Sequence, residues 1–473
     1  MGQSFPQYRH DGIGRAGAYA TLTLAVLVLL TGGGSRDYGW GDALAQGVAL
    51  LVLGMVLHAW VQRRLHPRTP WLFAAALALA AVPAVQLLPL PQAMQGSGLR
   101  QALQADLAVA GVSAVPGWGL TRDGAGNALL FLLPALALWL AVPQLRERDL
   151  RQLLRTLVAV AVASAVLGIL QLGAPQDSLL NPFPEWPPAF GGVFSNPNHQ
   201  ADLLLIGGLL ALALAGRAWR HDEARAQWVW LLLGISLLGC VPFTGSRAGL
   251  LIAVAAAGSW VLLSGVLLRA WRSEQRWPKA LVAGAALLTV AAVAFALHFM
   301  QTGVIDDSRD ELRAATARLA QENMPWGTGV GSFVRVFEQK GYVFPFESEY
   351  INHAHNEYLQ WWLEAGLLGL PAALLVLAGL GLALRRIVQL EPLSSQRQMA
   401  AAAWVGLAAL LAHSWVDFPL RTQGLSALAG ALGGVLVLLL ARLSKPEHAH
   451  KRGRGHNSGM DRMSDARDGD AVG

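Results

Sequence analysis

Two long apolar stretches decide the fold. Residues 248–268 read AGLLIAVAAAGSWVLLSGVLL, and residues 422–443 read TQGLSALAGALGGVLVLLLARL. Each has about the 20 residues that a helix needs to cross a ~30 Å hydrocarbon core. Similar runs recur along the chain without the alternation of barrel strands. The chain is 54% hydrophobic and only 14% charged, whereas soluble domains carry about 25% charged residues.

The apolar runs predict an all-α polytopic membrane protein with about twelve transmembrane helices. The predicted spans cover residues 16–33, 43–61, 71–88, 125–143, 151–172, 201–219, 228–243, 248–268, 280–300, 358–386, 398–416 and 422–443. We interpret residues 1–445 as one transmembrane domain, with a long loop over 301–356 before the tenth span. The tail over 446–473 has almost no apolar content, so it is predicted to be disordered.

The distribution of basic residues predicts the orientation. With the N-terminus in the cytosol, 26 of the 36 Lys and Arg residues fall in cytosolic segments and 10 on the other side. An excess of Lys and Arg is typical of cytosolic loops. It places both termini in the cytosol and the long loop in the periplasm of a bacterial inner membrane. The formal charge of +6 is therefore interpreted as a topology signal, which does not indicate nucleic-acid binding.

Two polar clusters stand on the predicted periplasmic side before spans six and eight. The first, residues 194–199, contains Asn196, Asn198 and His199. Asn-Pro-Asn is also ordinary turn and cap chemistry before a helix. The second, residues 244–249, contains Arg247. An Arg between two apolar helices either extends its side chain to the membrane–water interface or binds an anion. Its planar guanidinium group can donate two parallel hydrogen bonds to a phosphate.

The third cluster lies in the long loop. Arg309 and Arg313 are four residues apart, so they share one face of a predicted helix. They are either solvated surface residues or anion ligands near the start of that helix. The glycine-rich run that follows, Gly327-Thr328-Gly329-Val330-Gly331, follows no predicted strand. It therefore indicates a tight turn rather than a nucleotide site.

The fourth cluster leads into the tenth span and contains His353, His355 and Asn356. A His at the mouth of a membrane helix is suited to act as a base near neutral pH. The His-x-His spacing also occurs in zinc sites, but no Cys and no obvious third ligand accompany it. We therefore predict no metal. In a helix, His353 and His355 would point about 200° apart, so they are not expected to be interchangeable.

Together these motifs resemble the O-antigen ligase and polymerase superfamily of bacterial membrane glycosyltransferases. The closest likeness is His355-Asn356, then nine residues, then Gly366-Leu367-Leu368-Gly369, which is similar to the ligase signature. The supporting motifs are Gly192 to His199, Gly245-Ser246-Arg247, and Ser308-Arg309 followed by Gly327-x-Gly329. Their order and the long loop before the His also agree, over roughly residues 185–375.

The resemblance implies a function and a set of roles. Such enzymes transfer a glycan from an undecaprenyl-diphosphate lipid to an acceptor hydroxyl in the periplasm, without nucleotide, metal or other cofactor. By similarity His355 is the base, and Arg247 and Arg309 hold the diphosphate. Arg313 is the alternative loop arginine, at a position where members often have Trp. The residues expected to line the sugar or orient the cluster are Asn196, Asn198, His199 and Asn356.

Two questions stay open from the sequence. A polysaccharide or lipid transporter is the alternative from another class, but ion-coupled transporters usually need ionisable groups near the bilayer middle. Here the mid-helix regions are nearly free of them. Within the enzyme class, the acceptor is a growing polymer, a lipid A core sugar or a protein hydroxyl.

Overall fold

The computed structural model describes residues 12–34, 39–62, 64–65, 69–89, 98–111, 117–183, 189–266, 294, 307–339 and 351–441. Its regular structure is helical. Within these ranges the β-structure is a single isolated bridge between Pro89 and Gly117. The predicted tail and all but one residue of the predicted ninth span lie outside the described residues.

The described helices match the remaining predicted spans closely. Those before the long loop are α1 (Gly14–Thr31), α2 (Trp40–Val61), α3 (Thr69–Gln86), α4 (Gly98–Val109), α5 (Arg122–Ala141), α6 (Glu147–Gln171), α7 (Pro197–Arg220), α8 (Ala224–Cys240) and α9 (Arg247–Ser264). The later ones are α10 (Asp307–Glu322), α11 (Phe333–Gln339), α12 (Glu357–Ala365), α13 (Leu370–Gln389), α14 (Ser395–His413) and α15 (Gln423–Ala441). An all-α polytopic membrane protein is confirmed.

Nine helices in the described part are long and apolar enough to cross a membrane, with α12 and α13 counted as one span. Two predicted spans fall outside that set. Helix α3 is apolar but shorter, and the first turn of α14 is polar, with Gln396, Arg397 and Gln398. The predicted count of twelve therefore stays a prediction.

The predicted tenth span is not one continuous helix. It breaks into α12, a 3₁₀ turn over Gly366–Gly369, and α13. Gly366 has a φ of +55°, and a Cβ added there would lie 2.4 Å from the carbonyl oxygen of Pro325. The returning loop thus packs directly on the break, which only glycine allows. Apolar pattern alone does not show such a break because both halves are apolar.

Helices α7 and α15 form the centre of the bundle, whereas α8 and α13 lie at its edge. In the apolar window of α7, 83% of residues are buried, against 17% for α8 and for the α12–α13 span. Leu232 and Ile235 of α8 and Leu374 and Leu377 of α13 are largely exposed. An apolar surface of this extent is disfavoured in water, so we expect lipid to cover these faces.

The loop helices have a small core of their own. Leu312 and Leu319 of α10 and Phe333 of α11 pack with Leu363 of α12. Ala354 is buried in the same cluster. This core fixes the segment before α12 against the long loop, at the end of the bundle where α7 begins and α14 ends.

Candidate active site

A buried carboxylate, Asp417, lies in the short segment between α14 and α15. Its side chain is 0% exposed. The backbone N–H of Phe418 donates to Oδ1 at 2.9 Å. The side-chain amide of Asn196 donates to both carboxylate oxygens at 3.3 and 3.4 Å, and that of Asn198 donates to Oδ2. Hydrogen bonds to a carboxylate favour its charged form.

The Asn-Pro-Asn motif explains how two amides reach the same carboxylate. Asn196 is the cap of α7, and its Oδ1 accepts a hydrogen bond from the backbone N–H of Asn198 at 2.9 Å. Pro197 stands at the first helical position, where its fixed φ suits the start of a helix. The cap uses the oxygen of Asn196 and leaves its amide N–H groups for Asp417. Asn196 therefore caps α7 and binds Asp417 at the same time.

Three imidazoles surround the ring of Phe418. The ring centroids of His199, His353 and His355 lie 5.0, 4.4 and 4.9 Å from that of Phe418. His199 is fully buried, and its Nε2 lies 3.8 Å from Asp417 Oδ1. The structure thus brings together residues from segments that the sequence separates by more than two hundred positions.

His353 and His355 lie in a loop. The prediction that they differ because a helix would point their side chains in opposite directions is therefore wrong. Helix α12 begins after them, and His355 has a φ of +46°, which is uncommon for a residue with a side chain. The difference has another origin. His355 Nδ1 lies 3.4 Å from Asp417 Oδ1, whereas His353 Nδ1 lies 3.3 Å from Nε2 of Gln360.

Asn356 and Glu357 hold the His355 loop in place. Asn356 is buried, and its Oδ1 caps α12 by accepting from the backbone N–H of Leu359 at 3.0 Å. Glu357 donates its backbone N–H to the carbonyl of Ser414 at 2.9 Å. Its carboxylate accepts from the backbone N–H of Leu420 at 2.6 Å. The His355 loop is therefore attached to both flanks of the Asp417 segment.

A second polar cluster supports the first. Glu364 is fully buried and pairs with Arg421 at 2.8 Å. Its Oε1 accepts from Nε2 of Gln360 at 3.2 Å and from the backbone N–H of Phe333 at 3.3 Å. Gln360 Oε1 accepts from the N–H of Ala354 at 3.1 Å. These contacts join the long loop, the His355 loop and the segment after Asp417.

The charge states of the site follow from these surroundings. Burial by itself opposes ionisation of Asp417, but its contact with His355 and the charges of His199 and His355 hold its pKa below the usual range. Burial lowers the pKa of His353 well below its usual value, and the charge of Arg421 lowers it further. Near neutral pH the cluster therefore holds an anionic Asp417 and a neutral His353.

The glycine-rich run forms a tight turn against the end of α12, which confirms the prediction. Gly327, Gly329 and Gly331 have φ values of +70°, +101° and +82°. The N–H of Gly329 donates to the carbonyl of Glu364 at 2.9 Å. A Cβ on Gly327 would lie 2.6 Å from that same oxygen. Close backbone approach explains these glycines.

Arg247 lies at the same end of the bundle as Asp417. It is the exposed first residue of α9. The first turns of α9 and α7 pack closely, because a Cβ on Gly249 would lie 2.7 Å from that of Ala201. Arg247 is therefore beside the helix start that carries Asn196 and Asn198.

The two loop arginines differ in their surroundings. The charge of Arg309 acts on the imidazole of His413, as the smallest of several influences on it. Arg313 pairs with the exposed Asp310 at 3.2 Å, and its Nε is buried without a hydrogen bond. Arg309 and Arg313 therefore both stay candidates for the arginine that acts at the site.

A second buried Asp–His pair lies deeper in the bundle. His413 Nδ1 is 2.9 and 3.0 Å from the two oxygens of Asp202, and both side chains are at most 1% exposed. Asp202 belongs to α7 and His413 ends α14. The pair joins the two helices whose ends carry the site.

The sequence analysis missed four residues of the site: Asp417, Phe418, Glu364 and Arg421. A signal for the first was present, because Asp417 follows an apolar run on the same predicted side as His355. Its pairing with two asparagines from α7 is a tertiary contact, so spacing along the chain does not indicate it.

The arrangement suits proton transfer. His355 Nδ1 is buried without a hydrogen bond and lies 3.4 Å from Asp417 Oδ1, while 26% of the His355 side chain is exposed. A carboxylate beside one nitrogen of an imidazole favours its protonated form, and the other nitrogen can then act on a substrate proton. In the described part of the chain, no group of three His, Cys, Asp or Glu side chains is placed to hold a metal ion.

Part of the chain that carries these residues matches a known family. The sequence model of the family described as O-Antigen ligase matches residues 230–374. The matched range contains Arg247, Arg309, His355 and Asn356, while Asn196, Asn198 and Asp417 lie outside it. Curated proteins gave no sequence match.

Proposed function

This chain carries a domain of the O-antigen ligase family over residues 230–374, and on that basis we propose that it transfers a glycan from an undecaprenyl-diphosphate-linked donor to an acceptor hydroxyl. The chain is a multi-pass membrane protein with a glycosyltransferase-like ligase or polymerase domain. The contact between His355 and the buried Asp417 is the observation that carries the proposal, because it provides a base for the acceptor.

The proposed step moves one proton and exchanges one bond. The acceptor oxygen attacks the anomeric carbon of the donor and forms the new glycosidic bond. The bond from that carbon to the diphosphate oxygen breaks, and the lipid diphosphate leaves with the electron pair. The acceptor proton passes to the free ring nitrogen of His355. Asp417 keeps the imidazole oriented and offsets the positive charge that develops on it.

Arg247 and Arg309 are proposed to bind the leaving diphosphate. Its negative charge grows as the bond breaks, so cations fixed beside it stabilise the transition state more than the ground state. Guanidinium groups also donate paired hydrogen bonds to phosphate oxygens. Two arginines would then supply the charge that Mg²⁺ supplies in other enzymes of phosphate chemistry.

The surroundings agree with a lipid-linked donor. The site lies at one end of the bundle, where the first turn of α7 meets the His355 loop. The exposed apolar faces of α8 and α13 contact lipid, so a polyprenyl tail can stay in the bilayer while its diphosphate reaches the bundle end. We propose that this end faces the periplasm of a bacterial inner membrane.

The function is tested with purified protein in detergent, a lipid-linked glycan and separate candidate acceptors. We expect transfer without nucleotide and in excess EDTA, and the acceptor that becomes glycosylated distinguishes a ligase from a polymerase. Loss of transfer with EDTA and recovery with Mg²⁺ or Zn²⁺ would overturn the metal-free mechanism. Donor movement across vesicles without any transfer would favour the transporter.

Substitution of the arginines tests the diphosphate role. Arg247→Lys keeps the positive charge but loses the planar guanidinium group and its paired hydrogen bonds. We therefore expect activity to fall at least about tenfold in Arg247→Lys, and further in Arg247→Ala. Arg309→Ala should behave similarly. Arg313→Ala is the matched control from the same helix face and should retain most activity. An inactive Arg313→Ala with an active Arg309→Ala would reverse the assignment.

Reporter fusions test the orientation. The Lys and Arg bias predicts that Gly331, in the long loop, faces the periplasm and that Gly453, in the tail, faces the cytosol. Alkaline phosphatase fused at Gly331 should be active, and at Gly453 inactive. A cytosolic reporter at the same positions should give the opposite pattern. Signals from one side at both positions would contradict the topology.

A further inference from the structure

A basic cleft lies at the end of the bundle opposite to His355. It has a volume of about 610 Å³ and is lined by Arg148, Arg151, Gln152, Arg155, Arg217 and Glu223. The first four belong to the start of α6, and Arg217 belongs to the end of α7. Helix α7 has 24 residues, or roughly 36 Å at 1.5 Å per residue. The cleft and the active site are therefore about one membrane thickness apart.

The cleft holds more positive charge than its carboxylates neutralise. Arg151 pairs with Glu147 at 2.6 Å, and Arg217 pairs with Glu223 at 3.3 Å. In the part of the chain that the structure describes, Arg148 and Arg155 form no ion pair. Both are exposed. Among the described residues, the guanidinium groups of Arg148 and Arg155 thus lie in the cleft without an ion pair of their own, whereas Glu147 and Glu223 pair with Arg151 and Arg217.

The membrane topology alone does not explain why these arginines line the same cleft. Charge bias places arginines at the cytosolic end of a membrane protein, but it does not require them to converge. Residues 148, 151 and 155 are three and four apart, so they line one face of α6. That face meets Arg217 of the neighbouring helix across a cleft whose volume is typical of ligand sites.

We propose that this cleft binds a phosphate-bearing anion through Arg148 and Arg155. The planar fork of arginine matches phosphate oxygens. The position at the helix ends is where membrane lipid headgroups lie, and basic pockets between helices on this side suit acidic lipids. The ligand is therefore the headgroup of an acidic phospholipid or a soluble phosphate. The site is separate from the one that contains His355.

The test uses the full-length protein purified in detergent. One arm measures binding of phosphatidylglycerol or cardiolipin in nanodiscs against a phosphatidylcholine background. The other measures binding of inorganic pyrophosphate by calorimetry. We expect saturable binding in at least one arm, and at least tenfold weaker binding in the double variant Arg148→Gln/Arg155→Gln. Binding in the lipid arm alone identifies a headgroup, and binding in the pyrophosphate arm alone identifies a soluble anion.

The matched control is Arg220→Gln/Arg225→Gln, which removes two charges at the same end without altering the cleft lining. It should bind like the unmodified protein. Equal loss in both double variants would show a diffuse charge effect and overturn the proposal, as would no saturable binding in either arm. If the first double variant folds poorly, Arg148→Lys/Arg155→Lys replaces it, because it keeps the charge but loses the fork, and unchanged binding there would also refute the proposal.

Discussion

Replacing His355 by alanine should lower the rate of glycan transfer by about 10²–10⁴-fold, the contribution of a general base. In the proposed mechanism the acceptor hydroxyl would then lose its proton acceptor, while Arg247 and Arg309, which are proposed to bind the diphosphate, remain. We therefore expect kcat to fall and donor binding to persist. The measurement is transfer by purified protein at saturating donor, together with an equilibrium binding assay for the donor lipid.

His353→Ala is the internal control for this experiment. His353 contacts the same ring of Phe418 but faces Gln360 instead of Asp417, so its loss should be milder. Two equally inactive variants would indicate that the loop needs both rings for its shape. A His355→Ala protein that transfers at the unmodified rate would remove the base from the mechanism and favour the transporter.

Asp417→Asn should have an effect of similar size, about 10²–10⁴-fold on kcat. The amide has nearly the volume of the carboxylate but no charge to offset an imidazolium. Its N–H₂ group would also meet the amide donors of Asn196 and Asn198. We expect the donor affinity to change little because the Asp417 side chain is fully buried and is not among the residues proposed to bind the diphosphate. Steady-state kinetics with donor titration separates the two parameters.

A double variant distinguishes a positioning role from general instability. If Asp417 acts through His355, then His355→Ala/Asp417→Asn should be no slower than His355→Ala alone, because residues that act as a unit are not additive. Asp123→Asn is the matched control, since Asp123 is an exposed carboxylate with only a 3.5 Å contact to Arg335. Multiplied losses in the double variant would contradict the proposed link.

The helices were predictable from the sequence because lipid imposes a simple rule. A span needs about 20 apolar residues whatever its partners are, so the predicted bounds of α7 and α15 differ from the observed ones by only a few residues. The break at Gly366 was not predictable in this way. It depends on the approach of the loop backbone at Pro325, which is a contact between distant segments.

The candidate site was predictable only in part, for the same reason. Asn196, Asn198, His199 and His355 carry recognisable polar motifs beside apolar runs, and they do come together. Asp417 joins them through tertiary contacts alone. Asp202, near the start of α7, is likewise buried and pairs with His413 of α14. Burial of a pair depends on which faces of two helices meet, and one-dimensional hydropathy does not contain that information.

Because the ribosome makes the chain from its N-terminus, the residues of the site are synthesised at different times. Asn198 and Asp417, which bond directly, are 219 residues apart along the chain. At roughly 5–20 residues per second, a ribosome needs roughly 10–40 s to add that length. During this interval the start of α7 already exists, but the carboxylate that its asparagines bind has not been made. In the proposed mechanism, a nascent chain therefore has no oriented base until Asp417 and the helices on either side of it have been made, and it does not act on a lipid-linked glycan before then.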